Sequence, residues 1–253
     1  MEFSLQQCEN RLMRGIPALI EAGGACAASG SFAWAAVAPV SQIFGPTIRR
    51  TGDESTVALT FDDGPNPAVT PALLDLLERH EVHATFFVTG EHVRAFPDLA
   101  REIARRGHTI GNHTDSHRHL VFCTAAEIAA ELDRCDDAIR AATGQKPRWM
   151  RPPFGFRGPA LRGAIKRWGG LGVVMWSALA WDWKPHAAER VIGHLRRVKG
   201  GDIVLLHDGD FREREGDRRH VVDALEHWLP RWKDSGMLFA TLDEIGAWES
   251  SPA

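Results

Sequence analysis

The sequence predicts an α/β chain whose strands run parallel and close into a barrel. Three observations carry that expectation. From about residue 55 onward, β-prone runs alternate with helical periodicity, the order that builds a parallel sheet flanked by helices. Several of those runs end in polar, chemistry-bearing residues, and barrel enzymes build their sites at the carboxyl ends of strands. The 253 residues suffice for one barrel-sized domain, or for a domain with an extension.

The elements follow in chain order. Strand 57–62 is apolar up to its final acid, and helix 69–80 carries the apolar stripe Leu73, Leu74, Leu76 and Leu77. Strand 84–89 precedes a helix that runs through Pro97 to Arg106 and is closed by Gly107. Strand 108–112 comes before a helix from Thr124 to about Thr143; Thr124 with Glu127 makes a capping box, and Gly144 ends the helix. Strand 148–151 precedes helix 158–168, strand 173–179 precedes helix 186–198, and strand 202–206 precedes helix 219–234. Leu238-Phe239-Ala240-Thr241 is a last strand, followed by a short helix. No linker, internal repeat or low-complexity stretch divides residues 51–249, which read as one domain behind an N-terminal extension, 1–50. Helix 186–198 and the basic cluster Arg212 to Arg219 read as solvated surface, or, for the cluster, as the border of a substrate groove.

The extension has two readings. Residues 24–40 are small and apolar, yet shorter than the roughly 20 apolar residues of a spanning helix, with Glu21, Ser29 and Ser31 in or near them. The opening Met1-Glu2-Phe3-Ser4 is not the basic start of a signal peptide. One reading is an anchor or signal within residues 16–40, which implies a cell-envelope location. The other is a helix and extended arm packed on the barrel, which fits a cytoplasmic one. Net charge is −3 with a pI near 6.5, so there is no electrostatic case for nucleic acid or an anionic membrane surface. Cys8, Cys26, Cys123 and Cys135 form no C-x-x-C pair, and the last two flank or share one helix too far apart to bridge. All four are expected to be free thiols.

The chemistry begins at Asp62-Asp63-Gly64-Pro65. Two like charges at the end of a buried strand repel and are costly to desolvate, so a fold keeps them when a cation or a proton-transfer task compensates. The bland alternative is a solvated Asp-Asp-Gly turn. After the fourth predicted helix boundary at Gly107, Gly111-Asn112 leads into His113-Thr114-Asp115-Ser116-His117. Imidazoles four residues apart would lie on one face of a helical turn and share an ion, with Asp63 as a third ligand. Two histidines and one carboxylate leave positions open for water and substrate, the pattern of a catalytic ion; two surface histidines are the alternative. Three further β-like runs end in Arg151-Pro152-Pro153-Phe154-Gly155, in Trp181-Asp182-Trp183 and in His207-Asp208-Gly209.

Together these segments resemble the polysaccharide deacetylases that share the NodB homology domain, carbohydrate esterase family 4. The likeness rests on residues 59–67, 111–117, 151–155, 181–183 and 203–209, in the family's order, and covers about residues 55–245. It implies a distorted (β/α)7-type barrel acting as a metal-dependent hydrolase that removes acetyl groups from N- or O-acetylated sugars such as chitin or peptidoglycan. Asp63, His113 and His117 are then the ligands of one divalent ion, Zn²⁺ by preference, with Co²⁺ or Ni²⁺ also suited. Asp62 is the general base, with Arg151 paired to it, orienting it and favouring its charged form. His207 is the general acid, and Asp182 holds it and favours imidazolium. The Phe154 N–H would face the oxyanion, where the family often has Tyr. Trp183 and Leu205 would wall a pocket for the acetyl methyl. A monomer binding a poly- or oligosaccharide is expected. Two other readings are a catalytically silent sugar-binding module and a hydrolase of small cyclic amides or imides; Asp182 as a helix cap and Trp183 as plain core are the local alternatives.

Overall fold

The computed structural model describes residues 31–170, 172–184 and 187–249. The backbone is helical over 31–37 (α1), and β1 (Thr47–Ile48) follows. Next come β2 (Thr56–Asp62), α2 (Thr70–Arg79), β3 (Thr85–Val88), α3 (Gly90–Ala95), α4 (Pro97–Arg105) and β4 (Thr109–Asn112). Then α5 (Ala125–Thr143), β5 (Trp149–Met150), α6 (Pro159–Trp168), β6 (Gly172–Val174) and β7 (Ala178–Leu179) follow. The chain ends its described part with α7 (Ala188–Leu195), β8 (Ile203–His207), α8 (Arg219–Asp234), β9 (Leu238–Phe239) and α9 (Leu242–Glu249).

The strands form one curled sheet in the order β1-β6-β5-β4-β3-β2-β8-β7, with β9 also on β2, and the paired strands are parallel. This is the expected α/β barrel. Parallel strands covered by helices on one side and packed side chains on the other read as continuous apolar runs, and every residue of β2 is buried. Leu73, Leu74, Leu76 and Leu77 of α2 are buried in the core that also holds Phe61 and Phe86, whose rings stack at 5.0 Å. The predicted capping box is present: Thr124 and the Glu127 side chain satisfy each other's backbone N–H, and Gly144 ends α5 in a left-handed conformation at φ 75°.

Three expectations change. The strand read over 173–179 breaks into β6 and β7, which pair at opposite ends of the sheet. Between them Met175 N–H donates to Ile48 O at 2.7 Å and Ser177 N–H donates to Ile203 O at 3.0 Å. One extended segment thus turns from one edge to the other and nearly closes the curl, which a straight strand cannot do. The helix read through Pro97 divides into α3 and α4. Pro97 offers no N–H and disfavours helical backbone at Phe96, which sits at φ −132°. The helical turn expected for His113 to His117 is a loop, with Thr114 and His117 at positive φ.

The described part of the extension lies on the barrel. β1 pairs with β6, and Ala35 and Ala36 of α1 are buried. Arg157, only 1 % exposed, donates its N–H to Ala36 O and its guanidinium to Ser41 O at 2.6 Å and to Ala38 O. Residues 16–30, Cys8 and Cys26, and the predicted helix start at residue 186 lie outside the described residues. Among the described residues, no helix is long and apolar enough to cross a membrane, and Cys123 and Cys135 are free and buried.

Candidate active site

β2 and β8 are neighbours in register, with Asp62 opposite His207, so both strands deliver their chemistry to the same rim. β4 delivers Asn112 and the loop after it. β5 ends at Met150 next to Arg151, and the stretch after β7 brings Asp182. The sequence-predicted residues therefore meet, although they span residues 62 to 207.

Asp62 and Asp63 are both buried but turn to different partners. Asp62 Oδ1 accepts from an Arg151 guanidinium nitrogen at 2.8 Å, the same nitrogen that donates to Thr60 Oγ1 at 2.7 Å. Arg151 is 0 % exposed and satisfied all round: it also donates to Val174 O and Met175 O, and its guanidinium lies 4.4 Å from the Phe87 ring centre. The Asp62–Arg151 pair expected from the sequence is in place through one guanidinium nitrogen, while the other two nitrogens reach backbone carbonyls, a spread of donors that a lysine could not supply.

Asp63 Oδ1 lies 3.1 Å from His117 Nε2 and 3.3 Å from His113 Nε2, and it has no hydrogen-bond donor of its own. His113 Nδ1 is 2.8 Å from Arg151 O; a carbonyl only accepts, so Nδ1 carries the proton and Nε2 turns its lone pair to the cluster. Burial alone would raise the Asp63 carboxyl, but the charge and hydrogen bonds of His117 and His113 in their protonated forms hold it well below the usual carboxylate range, so a positive charge at this point is what the carboxylate favours. Burial lowers His117, against the pull of Asp63, and so favours the neutral imidazole, the form able to bind a metal ion. One donor atom from each of the three lies within 4.8 Å of the others, and all three residues are buried. An orphaned carboxylate oxygen facing a lone pair is the arrangement that a cation relieves, so these side chains fit a metal ion.

The loop from His113 to His117 is held from behind, by residues that sequence reasoning missed. Glu131 of α5 is buried and accepts the N–H groups of Asp115 at 3.1 Å and Ser116 at 2.9 Å. Asn112 takes the Thr114 N–H at 2.8 Å and donates to Leu132 O and Asp136 Oδ1. An acid in the middle of an otherwise amphipathic helix was the only signal for Glu131 in the sequence.

His207 is grasped twice by Asp182. The His207 N–H donates to Asp182 Oδ2 at 2.7 Å and Nδ1 sits 2.9 Å from Oδ1. Burial would lower the imidazole, but the Asp182 charge and hydrogen bond raise it to about 9. The residue flanking α7 at its start is Ala187, so Asp182 does not cap that helix. Asp208 beside His207 is also shifted: burial and the Asp63 and Asp62 charges raise it to about 7, against the hydrogen bond from Thr70.

A cavity of about 450 Å³ opens over these groups, lined among others by Asp62, Asp63, His113, His117, Phe154, Trp183, Leu205 and His207. Trp183 is 37 % exposed and meets the His207 ring edge-on at 6.2 Å, so it is not plain core. Phe154 holds φ 58° and stacks on His119 at 4.0 Å. Phe211, which the sequence reading passed over, stacks on His117 at 4.0 Å. The basic cluster is only partly solvated: Arg212 and Arg218 line the cavity, and Arg218 is buried against Gly209 O and Asp210.

Acids and imidazoles gathered where parallel strands end mark the active-site rim of a barrel enzyme. Residues 49–171 match the family described as Polysaccharide deacetylase. A chitooligosaccharide deacetylase of Bradyrhizobium sp. (strain ANU 289) is 41 % identical over 209 residues, spanning 78 % of this chain and 94 % of that protein. A peptidoglycan-N-acetylglucosamine deacetylase of Bacillus cereus is 35 % identical over 197 residues, 76 % of this chain and 69 % of the relative. The crystal structure of the Bc1960 peptidoglycan N-acetylglucosamine deacetylase with 4-naphthalen-1-yl-N-oxidanyl-benzamide superposes with a TM-score of 0.70 at 34 % identity, covering 76 % of this chain and 88 % of that one. The chain belongs to the polysaccharide deacetylase family, carbohydrate esterase family 4.

Proposed function

We propose that this enzyme hydrolyses the N-acetyl amide of sugars in an acetylated glycan, using one divalent ion held by Asp63, His113 and His117. Two imidazoles and a carboxylate suit Zn²⁺ best, with Co²⁺ and Ni²⁺ as substitutes. When bound, such an ion acidifies a water and polarises the acetyl carbonyl.

The chain's own groups do the rest. Asp62 takes the proton of the attacking water, oriented by its pair with Arg151. The Phe154 N–H faces the developing oxyanion. An amine leaves only with a proton, and His207 supplies it from Nε2 while Asp182 holds Nδ1. Trp183 and Leu205 enclose the acetyl methyl.

The observation that carries the reading is the opposed preparation of Asp62 and His207. One is paired to an arginine and so suited to accept a proton; the other is raised to about 9 and so suited to donate one. The test is acetate release from an N-acetylglucosamine oligomer, assayed beside small cyclic amides. Acetate from the oligomer, abolished in Asp62→Asn, is expected. Turnover of the cyclic amide alone, or of neither, overturns the proposal.

A further inference from the structure

A second cavity of about 350 Å³ adjoins the first, and the two share Trp183 and Lys184. Its other lining residues are Trp181, Arg190 and His194. Trp181 is 50 % exposed and Trp183 37 % exposed, with ring centres 4.8 Å apart and an angle of 40° between them. Arg190 and His194 sit four residues apart on α7 and so share one face; the Trp181 and His194 rings are 6.2 Å apart.

Three features set this place apart from ordinary surface. Exposed indoles forgo the gain of burial, and here two stand side by side. Trp181 holds φ 59°, a left-handed conformation that a bulky residue adopts only under constraint. The constraint comes from its neighbours: Ala180 N–H is bonded to Leu205 O, and Asp182 is buried against His207 and His220. The turn that drives Asp182 inward therefore presents Trp181 and Trp183 outward. Among the described residues, Lys184 and Arg190 are exposed and make no ion pair, and no carboxylate lines the cavity.

We propose that this cavity binds the sugar next to the one that loses its acetyl group, and that the sugar it prefers carries a carboxylate. The indoles offer apolar faces to the pyranose ring, and Lys184 and Arg190 complement the anion. The substrate is then an anionic glycan rather than a uniformly neutral one. The inference rests on the glycan-deacetylase reading and adds a charged subsite to it.

The test is equilibrium binding, which does not depend on turnover. Two probes are compared by calorimetry: an oligosaccharide of alternating N-acetylglucosamine and its lactyl-ether, carboxylate-bearing counterpart, and the same oligosaccharide with its carboxylates amidated. Each exposed cation contributes up to about fivefold in affinity. The wild-type protein should therefore favour the acid by roughly tenfold, and the preference should shrink with salt. In Lys184→Gln/Arg190→Gln the ratio should fall towards one. Trp181→Ala should weaken both probes alike. Equal binding of the two probes by the wild-type protein, or a preference that survives the double substitution at an unchanged melting temperature, overturns the subsite. Acetate release from a neutral oligomer is measured alongside. Its absence counts against the deacetylase reading alone, and its presence with equal probe binding counts against the subsite alone.

Discussion

Two aspartates adjacent in sequence have different surroundings, and the difference is made one atom at a time. Asp62 faces a guanidinium and Asp63 faces two imidazoles. Asp62→Asn should therefore keep its metal, measured by elemental analysis, and lose about 10²–10⁴-fold in turnover, the usual worth of a positioned acid–base group. His113→Ala should lose metal and activity together; a His113→Ala, His117→Ala protein at full occupancy refutes the ligand assignment. The pH profile tests Asp182. His207 is raised to about 9, above its ordinary value, so the donor form persists through neutral pH and is lost as pH climbs through that value. Removing the Asp182 charge lowers the imidazole, so Asp182→Asn should shift the basic limb of kcat/KM to lower pH at fixed metal. The same pair also stabilises the fold: that contribution is complete below the unfolded histidine's pKa and fades towards pH 9.

At the scale of elements, the site depends on two contacts that hold loops in place. Glu131 on α5 fixes the loop between His113 and His117 through backbone N–H groups. Groups that orient metal ligands typically matter 10–100-fold, so Glu131→Ala should weaken metal affinity by roughly that factor in a competitive chelator titration. The second contact joins the ends of β2 and β8. A Cβ placed on Gly209 would come within 2.1 Å of Asp63 O, a backbone atom that cannot step aside. Gly209→Ala should therefore separate the rims that carry Asp63 and His207, lowering metal affinity and activity together.

For the whole molecule, the barrel is nearly closed by one segment and braced by another. Residues 172–179 serve both ends of the sheet, while the arm over 31–48 lies across β6 and Arg157. Arg157→Ala would leave the buried Ser41 carbonyl without its donor and remove a second hydrogen bond to the part-buried Ala38 carbonyl. The cost is about 2–3 kcal/mol, equivalent to a melting temperature lower by roughly 5–10 °C. A calorimetric scan with no change would show that the arm is not anchored there.

The sequence by itself determined the order of strands and helices, because the apolar periods of β2, α2 and α5 are local and their caps are written in single residues such as Thr124, Glu127 and Gly144. It also determined which residues meet, because residues that end successive parallel strands must share a rim. Tertiary structure decided the rest. Only packing against both sheet edges breaks 173–179 in two, and only the hold of Glu131 and Asn112 turns the histidine segment into a loop instead of a helical turn. Phe211 reaches His117 across a chain separation that no local pattern encodes, and the exposure of Trp181 and Trp183 follows from how Asp182 between them is held by distant His207 and His220. Periodicity and capping act over a few residues, whereas sheet closure, side-chain contact and exposure are set by what the distant chain leaves beside each residue.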